Sequence, residues 1–274
     1  MSISLVTKRA RALQDGAVLG DKERVLSDNK VTGVSLNVPI WGTCKPTKVC
    51  AETCYAARNV PIALPNSLKK QLRIYNSIKS DPHGVGGRIV AEMIRHMRKG
   101  AKFLRWNGVG DLFEESIVCL QGVAEALPNL PIWVVTRIPE MAARVPDLPN
   151  IFVHFSLDRA SVDRYHKLCE LKPLSSRIFF SYQEDEGEES LPVDLGLVPV
   201  SVYFSNMYAK PAPRVFQSVS CPLNSTKVAE DACEACGRCW DGTAQGMAVV
   251  AVKASVETNW REVEPANNKQ VGLF

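Results

Sequence analysis

The strongest constraint on the fold is a regular alternation of strand-like and helix-like segments between residues 101 and 206. Such alternation is typical of βαβ units, which build a parallel sheet. Strands are predicted at 101–108, 131–137, 150–158, 177–183 and 198–206, and helices at 64–80, 86–100, 115–127, 139–145 and 160–171. With a further β-rich segment at 32–40, the six strands favour an α/β fold, an open or partial (β/α)6 barrel, over a full eight-fold barrel.

The remaining segments flank this barrel-like region on both sides. Residues 1–31 are predicted to form an N-terminal extension, 32–206 the partial barrel, and 207–274 a small cysteine-rich C-terminal segment. One more apolar strand is predicted at 247–255, and Asn66 or Ser67 is the predicted N-cap of the helix that ends at residue 80.

Composition indicates a protein that does not cross a membrane. No run of about 18 or more apolar residues is present, and the N-terminus has no continuous apolar stretch of the secretory type. The sequence therefore predicts a cytoplasmic protein without a membrane partner. The net charge of +4 is too small to indicate a nucleic-acid partner alone. The basic segment 95–102 can contact phosphates, but we interpret it as a solvated helix face.

Nine cysteines in such a chain indicate metal ligands rather than disulfides. Cys44, Cys50 and Cys54 form a C-x5-C-x3-C group with no Cys-x-x-Cys pair, whereas structural zinc sites take four ligands. A cubane iron–sulfur cluster accepts four thiolates, so three leave one iron for an outside ligand. A known use of that position is to bind S-adenosylmethionine (SAM), which is then cleaved reductively to a carbon radical. Cys119 and Cys169 lie in apolar helical patterns and are predicted to be buried.

The loop at residues 42–59 resembles the cluster loop of the radical SAM superfamily, which follows the first strand of a partial (β/α) barrel. The usual signature there is C-x3-C-x2-C with an aromatic residue before the third cysteine, whereas here the spacing is longer and Tyr55 follows Cys54. The sequence is most similar to small phage-encoded families with a Cys-Tyr-Ala ending, here 54–56, and an Arg-Trp-x-x-x-Gly-Asp segment, here 105–111.

Three later motifs carry the same resemblance, each at the carboxyl end of a predicted strand. The segment NGVGDLF is similar to the family's Gly-Gly-Glu segment, whose backbone contacts the amino group of SAM. The Thr-Arg pair after the next strand is similar to the family's Thr-Asn-Gly turn. The segment FSLD is similar to the family's Ser-x-Asp motif. The resemblance implies that SAM is bound by Gly108, Gly110, Asp111, Thr136, Ser156 and Asp158.

Side-chain alternation along the strands predicts a polar interior near this end of the barrel. An interior used only for packing would hold Val, Ile and Leu, but the predicted inward positions include Arg105, His154 and Tyr203. Polar side chains in an enclosed space imply a bound polar ligand, so we expect these three residues to be catalytic. Two alternatives stand beside this: His154 as a hydrogen-bonded core histidine, and Arg105 as the ion-pair partner of Asp111 or another acid.

A second cysteine group lies near the end of the chain. Cys233, Cys236 and Cys239 form C-x2-C-x2-C, with Cys221 twelve positions upstream of the first. This run is similar to the ferredoxin type and favours a second, auxiliary four-iron cluster, with a zinc site of four cysteines as the alternative. Either metal would be closed by four thiolates and would stabilise a segment with little core of its own.

The sequence and the resemblance together imply a radical SAM enzyme with a catalytic and an auxiliary [4Fe-4S] cluster. Its expected partners are SAM, an electron donor, and a substrate that the mild basicity permits to be a nucleotide or a nucleic acid. A different class of function is a metal-stapled binding protein, for example for nucleic acid, without SAM chemistry; a third is a zinc protein with two structural knuckles.

Overall fold

A computed structural model describes residues 16–54, 56, 65–173, 177–183, 197–204, 220–221, 230–240 and 248–251. The strands are β1 (Ser27–Asn29), β2 (Gly33–Asn37), β3 (Leu104–Val109), β4 (Ile132–Thr136), β5 (Ile151–Leu157), β6 (Ile178–Gln183), β7 (Leu197–Val200), β8 (Val202–Phe204) and β9 (Ala248–Ala251). The helices are α1 (Ile40–Thr43), α2 (Lys48–Thr53), α3 (Pro65–Ser80), α4 (Pro82–Met97), α5 (Glu114–Ala126), α6 (Pro139–Arg144), α7 (Val162–Leu171) and α8 (Ala232–Cys236).

Seven strands form the main sheet, in the order β1-β2-β3-β4-β5-β6-β8. Each pair from β2 to β8 is parallel, and only β1 is antiparallel to its neighbour. The predicted α/β fold with a mostly parallel sheet is therefore confirmed. Among the described strands the sheet is open, because β1 and β8 stand at its two edges.

Helices α3 to α7 cover one face of this sheet. Helix α4 shows why: Val85, Ile89 and Met93 recur every four residues and are all buried, so one stripe of the helix faces the core. Pro82 opens the helix, and the Asp81 carboxylate accepts a hydrogen bond from the Gly84 amide at 2.8 Å. Alternate strand residues complete this core, among them Leu36, Trp106, Val134, Val153, Phe155, Phe180 and Tyr182.

The other face of the sheet is aromatic and polar. Arg105 and Trp133 are register partners, and His154 and Phe179 are partners one row further along the strands. The His154 and Phe179 rings stack with their centres 5.4 Å apart. The next row on this face pairs Ser156 with Ser181.

Several predicted boundaries are wrong by a few residues. Helix α3 begins at Pro65, before the predicted cap, and α4 begins at Pro82 rather than 86, because the Asp81 cap starts it earlier. The hairpin strand β1 and the short helices α1, α2 and α8 were not predicted. The prediction that Cys169 is buried is wrong, because its side chain is exposed. Cys169 lies on α7, whose buried stripe passes through Leu168 instead.

The predicted strand at 198–206 is two strands in different sheets. β8 joins the main sheet beside β6, whereas β7 pairs antiparallel with β9. The break falls at Ser201, whose amide donates to the Phe180 carbonyl at 2.8 Å. The β7–β9 pairing links residues on both sides of the predicted boundary at 207.

Among the described residues, no helix is both long enough and apolar enough to cross a membrane.

Candidate functional site

The three-cysteine loop begins directly after β2 and lies at the carboxyl edge of the sheet. Cys44 follows α1, Cys50 lies within α2, and Cys54 ends α2. The Thr47 hydroxyl caps α2 by accepting from the Cys50 amide at 3.1 Å. The loop is thus folded as two short helical turns, each carrying a cysteine at or near its end.

One contact fixes the first turn to the end of β3. Thr43 Oγ1 donates to the Pro39 carbonyl at 2.5 Å and accepts from the Asp111 amide at 3.1 Å. Thr43 is 4% exposed, so these hydrogen bonds lie in the interior. They place Cys44, the next residue, beside Asp111, whose charge acts on the Cys44 thiol.

A buried ion pair fixes the second turn to β4, β5 and β6. The Asp158 carboxylate, fully buried after β5, accepts at 2.6 Å from Thr47 Oγ1 and at 2.6 Å from the Arg137 guanidinium. The other arm of Arg137 donates to the Gln183 side chain at 2.6 Å. Arg164 adds a hydrogen bond to the Lys45 carbonyl at 2.6 Å. Side chains at the ends of three strands therefore form one network, which holds the cysteine loop through Asp158.

The thiols of this loop lie within electrostatic range of one another. Burial raises the pKa of the Cys44 thiol well above its usual value, and the charges of Asp111, Cys50 and Cys54 add to that effect. Burial raises the pKa of the Cys50 thiol to about 11, while the Arg137 charge opposes the rise. Without a metal the Cys44 and Cys50 thiols are therefore protonated at neutral pH, and Arg137 is placed to favour the Cys50 thiolate.

Asp111, the predicted contact of the SAM amino group, already has partners within the chain. Its carboxylate accepts from the Leu112 amide at 2.7 Å and from the Arg137 amide at 3.1 Å, and it is hydrogen-bonded to the Thr136 side chain. Burial raises the pKa of Asp111 to about 6, and these three hydrogen bonds limit the rise. The carboxylate therefore helps to form the turn after β4.

The two predicted cofactor glycines are required by packing against β2. A Cβ on Gly108 would lie 2.4 Å from Asn37 Oδ1, and one on Gly110 would lie 2.5 Å from the Val38 carbonyl oxygen. Gly110 also has φ +85°, which favours glycine. Close approach to β2, not to a ligand, is thus a sufficient reason for glycine, and the SAM contact stays a prediction.

Unpartnered polar atoms lie next to these glycines. Asn37 Oδ1 and Asn107 Oδ1 are buried and accept no hydrogen bond within the described part of the chain. Asn107 has φ 61°, which is unusual for a non-glycine residue and is often found at functional sites. A ligand with hydrogen-bond donors would satisfy both oxygens. Ser156 instead bonds Ser181, with their hydroxyls 2.9 Å apart.

The four-cysteine segment lies against the aromatic and polar face of the sheet. The amides of Asp231 and Cys233 donate to the carbonyls of Lys30 (2.7 Å) and Val31 (3.3 Å), in the β1–β2 turn. The Trp240 ring stacks on Phe103, with centres 5.1 Å apart. This segment therefore docks near the amino end of β3, away from the three-cysteine loop.

The Cys239 thiol lies within electrostatic range of the other three cysteines of this segment, including Cys221, which is distant in sequence. Burial raises the pKa of the Cys239 thiol well above its usual value, and the charges of Cys221, Cys233 and Cys236 raise it further. Arg105 opposes that rise and acts likewise on Cys233. One cation thus faces this second cysteine set.

Two predicted catalytic residues lie at this second set and not at the first. Arg105 is the second residue of β3, near its amino end, and its guanidinium carbon lies 4.7 Å from the centre of the Trp133 ring. His154 is 1% exposed, and burial lowers its pKa to about 3. The Cys239 backbone lies near the imidazole, but neither ring nitrogen makes a hydrogen bond of ordinary geometry to a described residue.

Tyr203, the third predicted catalytic residue, is placed only by its backbone. The register pairs it with Tyr182, which belongs to the helix-covered core, while Ser181 pairs with Val202. The expected row of polar residues therefore continues from Ser181 to Val202. The side chain of Tyr203 is outside the described part, and its role stays a prediction.

Neither cysteine set forms a closed ion site as it stands. In the described part of the chain, no three His, Cys, Asp or Glu side chains form a group that could hold a metal ion. The electrostatic contacts among the thiols show proximity at longer range. A metal ion needs its ligands around one point. One charge acts on another over larger distances, so thiols can influence one another without being close enough to bind the same ion. The donor set itself, three and four soft thiolates, suits iron–sulfur or zinc.

The gene product 88 family model matches residues 5–242. The chain belongs to the gene product 88 family. The matched segment includes all seven clustered cysteines, from Cys44 to Cys239. No curated protein and no solved structure matches the chain.

Four residues of this gene product 88 family member were missed or given no role by sequence reasoning. Thr43 and Thr47 hold the cysteine loop, and Arg137 and Gln183 complete the network at the strand ends. Thr47 has a sequence signal, since threonine is a common N-cap residue and its hydroxyl accepts from the amide three residues later, here that of Cys50. Arg137 and Gln183 each lie at or just after the end of a strand that opens onto the loop, which is a weaker signal.

Proposed function

We propose that the chain is a radical SAM-type iron–sulfur enzyme built on a partial (β/α)6 barrel. One observation carries the proposal: the three-cysteine loop is hydrogen-bonded at the carboxyl ends of the parallel strands, to the Asp111 amide after β3 and to the Asp158 carboxylate after β5. Arg137 and Gln183, at the ends of β4 and β6, continue the network from Asp158. Parallel α/β sheets place their ligand sites at that edge. The loop supplies three thiolates, one fewer than a four-iron cluster takes.

Cys44, Cys50 and Cys54 would hold the catalytic cluster. The residues fit this group through the chemistry of the donor set and the nearby unpartnered oxygens of Asn37 and Asn107. Once reduced by an electron donor and with SAM bound, such a cluster would supply the electron for reductive cleavage of the sulfonium.

The chain's own residues prepare that site. Arg137 places a positive charge near Cys50 and so favours its thiolate form, which ligation requires. Asp158 holds Arg137 in place, and Thr47 connects the same carboxylate to the loop. Asn37 and Asn107 offer acceptor oxygens to an ammonium donor, such as the amino group of SAM.

Cys221, Cys233, Cys236 and Cys239 would hold the second metal centre. Four thiolates close the coordination of either an auxiliary cluster or a zinc ion. This second metal centre would lie against the sheet, beside Arg105 and His154, and would attach the C-terminal segment to the barrel.

The test is a single-turnover assay under anaerobic conditions. Reconstituted protein is incubated with SAM and dithionite, and 5′-deoxyadenosine is measured. We expect product from the wild type and none from Cys50→Ala, with Cys119→Ala as the matched control that keeps activity. A wild type that holds both clusters and forms no 5′-deoxyadenosine would refute the proposal.

A metal-stapled binding protein is the second candidate, and one observation favours it. Asp111, expected to meet SAM, has its carboxylate occupied by Leu112, Thr136 and Arg137. If the loop serves only structure, Cys50→Ala should destabilise the fold as much as Cys236→Ala does, and SAM should leave the electron paramagnetic resonance signal of either centre unchanged.

A further inference from the structure

A pocket lined by charged side chains lies at the opposite edge of the sheet from the three-cysteine loop. It has a volume of about 280 Å³ and is lined by Arg24, Glu92, Arg95, His96, Arg98 and Lys99. Most of its walls come from the last turn of α4 and the residues that follow, which lead to the amino end of β3. None of these residues belongs to either cysteine site.

Four exposed cations line this pocket. Arg24, Arg95, Arg98 and Lys99 are all exposed, and none forms an ion pair with another described residue. Bringing like charges together is unfavourable unless a counter-charge is present. The pocket therefore has a local excess of positive charge.

Acidic neighbours offset only part of this excess, since Glu92 is the one carboxylate among the lining residues and there are four cations. The Glu92 carboxylate is buried and already accepts from the amides of Val25 (2.7 Å) and Leu26 (3.0 Å). His96 Nδ1 lies 3.6 Å from an Asp28 oxygen. Both acids have structural contacts within the chain, since Glu92 holds the segment before β1 and Asp28 faces His96.

The helix dipole explains part of the charge but not its convergence. Cations in the last turn of a helix are stabilised by its negative end, which accounts for Arg95. Arg24 comes from a separate segment, more than 70 positions earlier, and points to the same pocket. The cations of an ordinary solvated helix face all come from one helix, whereas those of this pocket come from two separate segments.

We propose that this pocket binds phosphate groups, with a nucleic-acid backbone as the source that its charge favours. Guanidinium groups pair with phosphate oxygens in a bidentate manner, and three of the four cations are arginines. The proposal is independent of the SAM chemistry, because no pocket-lining residue is a cysteine or belongs to the network that holds the three-cysteine loop.

The test measures binding of a fluorescent 20-base-pair DNA duplex to the full chain between 50 and 200 mM NaCl. Each phosphate contact contributes about −0.9 to the slope of log K against log salt. If all four cations engage, the slope approaches about −3.6. We expect Arg95→Gln combined with Arg98→Gln to make the slope less steep by about 1.8 and to weaken binding at 50 mM NaCl by at least about tenfold.

Two further variants sharpen the test. Arg24→Gln, from the other segment, should make the slope less steep by about 0.9. The matched control combines Lys79→Gln and Lys167→Gln, which removes two exposed cations from other helices and should leave the slope unchanged. Circular dichroism verifies that each variant is folded.

Competition identifies the source of the phosphate. Displacement by excess unlabelled duplex but not by ATP or inorganic phosphate supports a nucleic acid, and equal displacement by ATP supports a nucleotide in the same pocket. The proposal is overturned if polyglutamate of matched charge competes as well as the duplex. It is equally overturned if the Arg95 and Arg98 variant binds like the control, or if the wild type binds neither duplex nor ATP at 50 mM NaCl.

Discussion

Replacement of Arg137 by methionine is the sharpest test of how the cysteine loop is held. The Arg137 side chain is 12% exposed and its partner Asp158 is 0% exposed, so their ion pair lies in the interior. Removing one partner of a buried pair typically costs about 3–5 kcal/mol, because the other charge stays buried. Asp158 keeps hydrogen bonds from Thr47 (2.6 Å) and from the Ala160 amide (3.0 Å), so we expect the lower end, about 3 kcal/mol.

Urea denaturation of the metal-free protein measures this cost. With a slope of about 3 kcal/mol per molar urea, the midpoint should fall by about 1 M. Adding Asp158→Asn to Arg137→Met should recover part of the loss, since it removes the charge left unpaired, and the double-mutant cycle should show a coupling of about 1–3 kcal/mol.

The matched control is Arg144→Met. Arg144 forms an ion pair with Glu114 in which both side chains are more than half exposed, and exposed pairs contribute little. Its midpoint should stay near that of the wild type. Equal midpoints for Arg137→Met and Arg144→Met, or additive effects in the cycle, would refute the argument that a buried ion pair anchors the loop.

Three other predictions follow from the same geometry. Anaerobically reconstituted protein should carry about eight irons per chain if both cysteine sets hold four-iron clusters; stoichiometric zinc with negligible iron contradicts this. Gly110→Ala should cost at least about 1–3 kcal/mol of unfolding free energy in urea melts, because Gly110 has φ +85° and its Cβ would strike Val38; Gly87→Ala, in open space on α4, is the control and should not destabilise. Asp111 has its pKa raised to about 6 by burial, so the folded state binds its proton more tightly than the unfolded state. Stability should therefore fall as pH rises from about 4 through about 6, by at most about 3 kcal/mol; Asp111→Asn should lack this component in melts across that range.

The strand order could be predicted from the sequence because apolar strands and short helices alternate regularly from β3 to β6. The first and last residues of the helices could not be predicted, because the start of a helix depends on its capping residue, such as Asp81. The split of the strand predicted at 198–206 also had no local signal. Residues 197–200 and 202–204 read as one β-rich run, but they pair with strands distant in sequence, and pairing across such distances is set by tertiary contacts.

The cysteine ligands of the candidate site could be predicted from the sequence, but the residues that hold the cysteine loop in place could not. Cysteine spacing identifies two groups from residue types alone. The network that holds the first group joins Thr47, Arg137 and Asp158, which are about 20 to 110 positions apart. Only the parallel sheet, which brings strand ends to one edge, makes these residues neighbours.

The polar face of the sheet is shared between the two cysteine sets, which changes what its residues can do. The row of Arg105 and Trp133 lies at the second set, the row of His154 follows, and the row of Ser156 and Ser181 leads towards the first set. Rows on one face are two residues apart, or about 7 Å, so the first and third rows are separated by about 13 Å. His154, neutral and fully enclosed, lies in the middle row. If His154 serves the second centre, His154→Phe should alter the electron paramagnetic resonance signal of that centre and leave the signal of the first unchanged. A change confined to the first centre would instead assign the middle row to the three-cysteine loop.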